Sequence, residues 1–461
     1  MSNGALPFPV TPRLDVRRWS QVASFLIIGY LCMSRSFAYL GIPPWHVFIG
    51  EVVLASFLLL GPKAATGRWP WVAMRDQSFR RLTQIFVVLM IYGVFQVYRG
   101  AGAGYPLSSA VRDLAFDLYP FYLFLGVWLG ARSPEFPCKL MRYVTWFNGL
   151  YGVVFVLFLG NLGWIVPGVP QEVVDVPLFG QPLASAFSLV GLLAFERDLR
   201  SVWYLFALNL FVLLGMRIRG EWLAFAVGLL LWGWLTKRMK TLGLAGIYVL
   251  ALIAIMYVVD FKVPGPETRG VGTISVRDLV GRAVAPINPD LAAEYTEDYQ
   301  DALDSTLWRT IWWAQIWSSV HENSSRALLG FGYGYPIGDL VPYLEGHFIR
   351  TPHNFFLYAL GYTGWIGALI FLTFQGLLAR RLWKCWRFTR QPFGILFWST
   401  SLVCACFTAF FETPYSAIPF YLIVGSVIGG SSSLRTESVE VTYGGGRQPD
   451  LPPLTKPELL V

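Results

Sequence analysis

Apolar residues in this chain gather into blocks about as long as a helix needs to cross a bilayer. The runs fall at about 20–40, 45–61, 83–99, 114–130, 143–160, 178–195, 201–216, 221–235, 241–259, 355–378, 393–411 and 416–430. A transmembrane helix takes roughly 20 apolar residues to span the hydrocarbon core. In lipid, every backbone N–H and C=O must find its partner inside the protein. The blocks therefore predict an all-α, polytopic integral membrane protein of about twelve transmembrane helices. Charged residues make up 14% of the chain and mean hydropathy is +0.51. Soluble domains carry about 25% charged residues, so an ordinary soluble enzyme is excluded. The first run lacks a small-residue cleavage site and reads as a retained helix.

The net charge of +8 would suit a nucleic-acid binder, but the positions of the charges argue against one. Lys and Arg crowd into every second loop, as in Arg75–Arg81, Arg132–Arg142, Lys237–Lys240 and Arg380–Arg390. The intervening short loops hold only Arg35, Arg99, Arg112, Arg217 and Arg219. Basic loops stay cytoplasmic, so both termini are expected inside. The five cysteines lie mostly in or beside apolar runs, and their spacing suggests neither a disulfide framework nor a zinc site.

This pattern divides the chain into a cytoplasmic N-terminal segment (1–19), nine transmembrane helices (20–259), one large extracytoplasmic loop (260–352), three further helices (353–430) and a disordered cytoplasmic tail (431–461). Within the large loop, 261–290 is rich in Gly, Pro and charge and reads as loop. Glu294 to Val320 reads as helix, with Leu303, Leu307, Ile311, Trp312 and Ile316 at helical spacing. Its tryptophans, Trp308, Trp312, Trp313 and Trp317, suit a helix at a membrane interface.

Chemistry concentrates in 328–372. A glycine-rich turn, Gly330-Phe331-Gly332-Tyr333-Gly334, precedes His353-Asn354 at the mouth of an apolar helix. Gly361, Gly364 and Gly367 then allow close approach to a neighbour. An imidazole where membrane meets water is a candidate base, although a bond from a helix-cap neighbour to a carbonyl would also account for it. Arg217 and Arg219 interrupt two apolar runs. They fit either an anionic phosphate ligand, held in a bidentate fork, or a structural pair with Glu221. Arg309 fits a ligand contact or a cation–π contact among its tryptophans, and Arg350 lies in the same loop. Arg35 and Arg112 read as interfacial snorkels. The histidines, His46, His321, His347 and His353, show no metal-motif spacing, so no metal or other cofactor is expected. The glycine run follows no strand and is not a dinucleotide fingerprint. Asp339, Glu345 and Glu412 form no evident catalytic pair.

Taken in order, Arg309-x-x-x-Trp313, Leu329-Gly-Phe-Gly-Tyr-Gly334, His353-Asn354-x-x-Leu357 and Gly361-x-x-Gly364-x-x-Gly367 resemble the O-antigen ligase and polysaccharide polymerase superfamily of bacterial membrane glycosyltransferases. Arg217-Ile-Arg219-Gly220 stands where that family has a Ser-Arg-Gly segment, with Ile218 in place of the serine. The choice between Arg217 and Arg219 therefore stays open. The resemblance implies metal-independent, inverting transfer of an undecaprenyl-pyrophosphate-linked glycan onto an acceptor hydroxyl, at the outer face of the bacterial inner membrane. His353 would be the base, Arg219, Arg217 and Arg309 the pyrophosphate binders, and Asn354 and Arg350 supporting residues. The partners implied are the lipid-linked donor, a glycan or lipid-linked acceptor, and membrane lipids. Two other readings are a polymerase joining lipid-linked repeats and, from another class, a transporter or flippase of lipid-linked sugars. The lack of an internal repeat counts against the transporter.

The alternation of basic loops yields a topology test. Cysteine-accessibility labelling is expected to place Arg75, Arg238 and Arg387 inside and Glu345 outside. Labelling of position 387 from outside would sink the twelve-helix arrangement.

Overall fold

A computed structural model describes residues 13–42, 47–60, 77–165, 176–196, 200–266, 272–296, 299–342 and 350–443. The fold is mostly helical. In chain order the helices are α1 (Arg13–Ala38), α2 (Ile49–Leu60), α3 (Gln77–Gly102), α4 (Leu107–Leu118), α5 (Phe121–Arg132), α6 (Phe136–Leu157), α7 (Ser185–Phe195), α8 (Trp203–Gly215), α9 (Arg219–Leu235), α10 (Met239–Val258), α11 (Val276–Val284), α12 (Pro289–Ala293), α13 (Tyr299–His321), α14 (Ser324–Leu329), α15 (Phe355–Thr389), α16 (Phe393–Phe407) and α17 (Pro414–Tyr443). Two small antiparallel hairpins join β1 (Gly41–Ile42) to β2 (Val47–Phe48) and β3 (Lys262–Pro264) to β4 (Thr273–Ser275).

Every apolar run of the sequence falls on a helix. Among the described residues, six helical stretches are long and apolar enough to cross a membrane: Val16–Ala38, Phe79–Gly102, Leu107–Arg132, Phe136–Leu157, Phe355–Thr389 and Pro414–Ser432. Four further apolar helices are shorter: Ile49–Leu59, Ser185–Phe195, Trp203–Gly215 and Phe393–Phe407. At 1.5 Å rise per residue, α7 with its 11 residues and α16 with its 15 reach about 16 to 23 Å, less than the ~30 Å of a hydrocarbon core.

Two expectations are corrected. The 261–290 stretch is not plain loop. It holds the β3–β4 hairpin, with Val263 opposite Ile274, and then α11. Ser275 caps α11 by accepting from the Asp278 N–H at 3.0 Å, and Ile274 and Val276 are buried. Nor does the chain lose its structure at 431, because α17 continues to Tyr443. Ser431 and Ser432 both donate to the Ile428 carbonyl, and Arg381 reaches the Ser432 hydroxyl at 2.9 Å. These polar side chains are thus satisfied along the helix. The remainder of the expected tail lies outside the described residues. The helix expected at 294–320 forms as α13. Trp312 and Ile316 of its apolar stripe are buried, and Leu307 and Ile311 stay exposed.

Two backbone features organise the packing. First, α5 and α17 lie in backbone contact. A Cβ on Gly126 or Gly130 would overlap the Leu422 or Ser426 carbonyl oxygen, and one on Gly425 or Gly429 would overlap that of Leu123 or Val127. Second, α15 breaks at Gly364, which has φ 62° and ψ −171°. The break frees carbonyls that would otherwise accept within the helix, and each finds a partner. Phe331 N–H donates to Gly361 O at 2.8 Å, Gly332 N–H to Tyr362 O at 3.0 Å, and Tyr92 Oη to Thr363 O at 2.8 Å. The glycine-rich turn is therefore threaded into the break. Gly330, Gly332 and Gly334 all take positive φ, which only glycine adopts at little cost. Helix α3 closes the other side of the turn. Gln96 Nε2 donates to Leu329 O at 3.0 Å, and Arg99 donates to Leu329 O at 2.5 Å and Gly330 O at 3.2 Å.

Gly364→Ala is expected to destabilise the protein by at least ~1–3 kcal/mol, since the backbone there suits glycine alone. Its Cβ would also press on the Gly330 nitrogen at 2.5 Å. Gly376→Ala, in the same helix with open space around it, should be neutral or stabilising by up to ~1 kcal/mol. Melting midpoints of the purified variants in detergent check the contrast; equal midpoints would count against the break as a structural requirement.

Candidate functional site

Asn354 caps α15, its Oδ1 accepting from the Leu357 N–H at 3.1 Å. This short-range cap starts the helix and leaves the preceding residue outside it. That residue, His353, has φ 53°, in the left-handed region where histidine is enriched among non-glycine residues. The resemblance implied a supporting role for Asn354. What the structure gives it is the helix cap, so it fixes the backbone from which the imidazole projects.

The imidazole is half-buried and meets the edge of the Trp308 indole, with ring centroids 5.8 Å apart. Arg309 places its guanidinium 5.4 Å from the centroid of the same indole. Trp313 Nε1 donates to Pro352 O at 2.7 Å, pinning the chain just before His353. Helix α13 therefore holds the histidine by its ring and by its backbone.

The same helix takes up Arg219, the first residue of α9. Arg219 Nη2 donates to Thr306 Oγ1 at 3.0 Å, and its Nη1 to Arg282 O at 3.3 Å. Thr306, Trp308 and Arg309 occupy one turn of α13. That turn brings together three of the residues expected from sequence: Arg219, Arg309 and His353.

Arg217 is placed differently. Its side chain is fully buried, with Nε 3.1 Å from Asp278 Oδ2 and a guanidinium bond to the Thr273 carbonyl. Asp278 Oδ1 accepts from Arg282 Nε at 2.9 Å and from Thr296 Oγ1 at 3.1 Å. Asp278 of α11, 61 residues along the chain, is thus an ion-pair partner that the sequence did not offer. Asp278 is thus shared by two arginines, and Glu221 is buried nearby, two residues after Arg219.

Arg350 also stands apart from the α13 group. Its Nη2 donates to Asp113 Oδ2 at 2.5 Å and to Tyr335 O at 3.4 Å. Asp113 Oδ2 further accepts from the Gly334 N–H at 2.8 Å, and Asp117 Oδ2 accepts from Tyr333 Oη at 2.7 Å. These buried carboxylates hold the glycine-rich turn in place, and the sequence reading passed over them. Their signal was two aspartates at i, i+4 in an otherwise apolar segment, a costly arrangement unless both are bonded.

Glu412 lies in a turn toward the far end of the chain. The 408–413 turn lies between the starts of α9 and α15. Gly220 packs against Phe407, and the Phe411 ring lies 5.0 Å from Phe355. Glu412 Oε2 accepts from the Phe410 N–H at 3.0 Å. Burial pushes its carboxyl from the ordinary 4.5 up to about 8. His321 serves structure: its Nδ1 meets Trp317 O at 2.7 Å and its Nε2 accepts from Trp365 Nε1 at 3.1 Å. His46, His347 and Glu345 lie outside the described residues. Among the described residues, no three His, Cys, Asp or Glu side chains converge as a metal site would require.

A carboxyl whose pKa rises on folding stabilises the fold in its protonated form. Its contribution is complete below about pH 4.5, declines as pH rises, and is gone above about pH 8. The wild-type melting midpoint in detergent is therefore expected to fall across that window relative to Glu412→Gln. Parallel curves for the two proteins would mean that this carboxyl titrates in the ordinary range.

Residues 204–372 match the family model described as O-antigen ligase. That span runs from the start of α8 to beyond the Gly364 break. It includes Arg217, Arg219, Arg309, Arg350, His353 and Asn354, while Asp113, Asp117 and Glu412 fall outside it. No curated protein matches the chain.

Proposed function

We propose that this chain, which carries an O-antigen ligase family domain at residues 204–372, transfers a glycan from undecaprenyl pyrophosphate to an acceptor hydroxyl at the outer face of the inner membrane. In this reading the twelve apolar runs make about twelve membrane passages, both termini are cytoplasmic, and the 260–352 segment is extracytoplasmic. The observation that carries the proposal is the single turn of α13 that binds Arg219 through Thr306, stacks Arg309 on Trp308 and meets His353 with the same indole.

The chemistry follows from those groups. Outside the cytoplasm a nucleotide sugar is not at hand, and a lipid-linked donor brings its own leaving group. The pyrophosphate gains negative charge as the glycosidic bond breaks, and preorganised guanidinium groups stabilise charge that develops in the transition state. Arg219 and Arg309 take this role. Arg217 is already engaged by Asp278 and acts as a positioning residue, fixing the β3–β4 hairpin and α11 beside Arg219. His353 accepts the acceptor's hydroxyl proton near neutral pH. The oxygen then attacks the anomeric carbon from the face opposite the pyrophosphate, which inverts the configuration. Arg350 acts at a distance by holding the segment before His353 to Asp113.

The test is transfer by purified protein from a lipid-linked donor to a panel of acceptors, with donor binding measured in parallel. His353→Ala is expected to lower turnover by about 10²–10⁴-fold, or about 2.7–5.5 kcal/mol of transition-state stabilisation, with donor binding retained. His353→Gln keeps a hydrogen-bond donor but accepts no proton near neutral pH, so it should be nearly as inactive. An active Gln variant with an unchanged pH profile would remove His353 as the base.

A further inference from the structure

A second feature of this end of the molecule has no part in the chemistry above. A cleft of about 280 Å³ opens between the end of α3, the α13–α14 turn and the glycine-rich turn. Its size is at the small end of ligand pockets, which start near ~300 Å³, and suits one sugar unit better than a chain. One wall is aromatic. Phe331 and Tyr335 stack with centroids 4.2 Å apart and planes 7° apart, and Tyr105 meets Tyr335 edge-on at 5.5 Å. Two further lining groups are cationic. Arg99 bonds only neutral partners among the described residues: the Gln96 side chain, the Leu329 and Gly330 carbonyls, and the face of Phe95. Arg326 lies over Phe331 at 5.0 Å and pairs with Glu322. Two guanidinium groups thus line the cleft, with the Glu322 carboxylate on Arg326 and Asp339 on the Tyr335 side.

We infer that this cleft binds an acidic sugar unit of the glycan, a uronate in kind, its carboxylate toward Arg99 and Arg326 and its apolar face against the Tyr335 side of the lining. A charge-assisted bond to a guanidinium selects an anionic substituent, and the half-buried rings provide the apolar surface that inorganic phosphate cannot use. The cleft is also coupled to the reacting group. The Tyr335 carbonyl accepts from Arg350 and from Tyr362 Oη, and Arg350 lies three residues before His353. A sugar seated here would anchor the glycan at a distance from the bond being made. The inference rests on the glycosyl-transfer reading for what the sugar belongs to, but binding of the free sugar is independent of turnover.

The experiment measures binding of free D-glucuronic acid, D-glucose and inorganic phosphate to the detergent-purified full chain by saturation-transfer NMR. Glucuronate is expected to bind with a dissociation constant on the order of 1 mM, glucose and phosphate each about tenfold more weakly. Ser325 is exposed at the rim, so Ser325→Trp should fill the cleft and lower glucuronate affinity at least about tenfold without disturbing the melting midpoint. Arg326→Gln should bring glucuronate down to the level of glucose. Glucuronate binding that survives Ser325→Trp would overturn the site. Equal binding of glucose and glucuronate would overturn the role of the arginines, and equal binding of phosphate would reduce the cleft to a plain anion site. His353→Ala should leave glucuronate affinity unchanged, so loss of transfer and loss of this site are separately visible.

Discussion

The break in α15 at Gly364 is the constraint from which the rest of this structure follows. A helix interrupted inside an apolar bundle exposes carbonyls to a medium that cannot satisfy them. Here three such carbonyls, on Gly361, Tyr362 and Thr363, are taken up by two backbone N–H groups of the glycine-rich turn and by the Tyr92 hydroxyl. The turn lies against the break only because neither Gly330 nor Gly364 carries a Cβ: one on Gly330 would press on the Tyr362 carbonyl carbon at 2.5 Å. Break and turn are therefore one unit, each unsatisfied without the other.

That unit reaches the candidate site through charge. Gly334 donates to Asp113, Asp113 accepts from Arg350, and Arg350 leads into the segment that ends at His353. A buried aspartate would be expensive alone, and breaking such a pair by removing one partner costs far more than the pair contributes. From the other side, α13 fixes the same segment through Trp313 and the Trp308 indole. The histidine is thus held between two supports built from distant parts of the chain, and the adjacent arginine cluster is tied together by Asp278, shared by Arg217 and Arg282.

What could be read in the sequence was whatever depends on near neighbours. The apolar blocks marked the helices because hydropathy is a local property, and the helix at 294–320 showed in its own spacing. Gly330, Gly332 and Gly334 announced a turn, and His353-Asn354 announced a helix mouth. Partners separated by long stretches of chain were not legible. Glu221 was the near neighbour on offer for Arg217, and Asp278, 61 residues away, was not visible. Asp113 lies 237 residues from Arg350, and nothing near either names the other. Gly364 was read as a point of close approach, but its φ of 62° makes it a break, and three glycines at similar spacing do not reveal which one bends. The serines after 430 looked like the start of a tail because their polarity was visible and the carbonyls that accept from them were not.

The glycine contact between α5 and α17 has a consequence for how the protein is made. Gly126 and Gly130 form a face with no side chains, and the helix that covers it, through Gly425 and Gly429, is the last described element of the chain. During synthesis nearly 300 residues must emerge before that cover exists. Until then α5 presents bare backbone to lipid or to whatever helix is nearest. Small-residue faces of this kind attract any helix able to approach closely. The closing step of assembly is thus the docking of α17, and a chain truncated before residue 414 would keep every residue of the α13 group while lacking the piece that shuts the bundle.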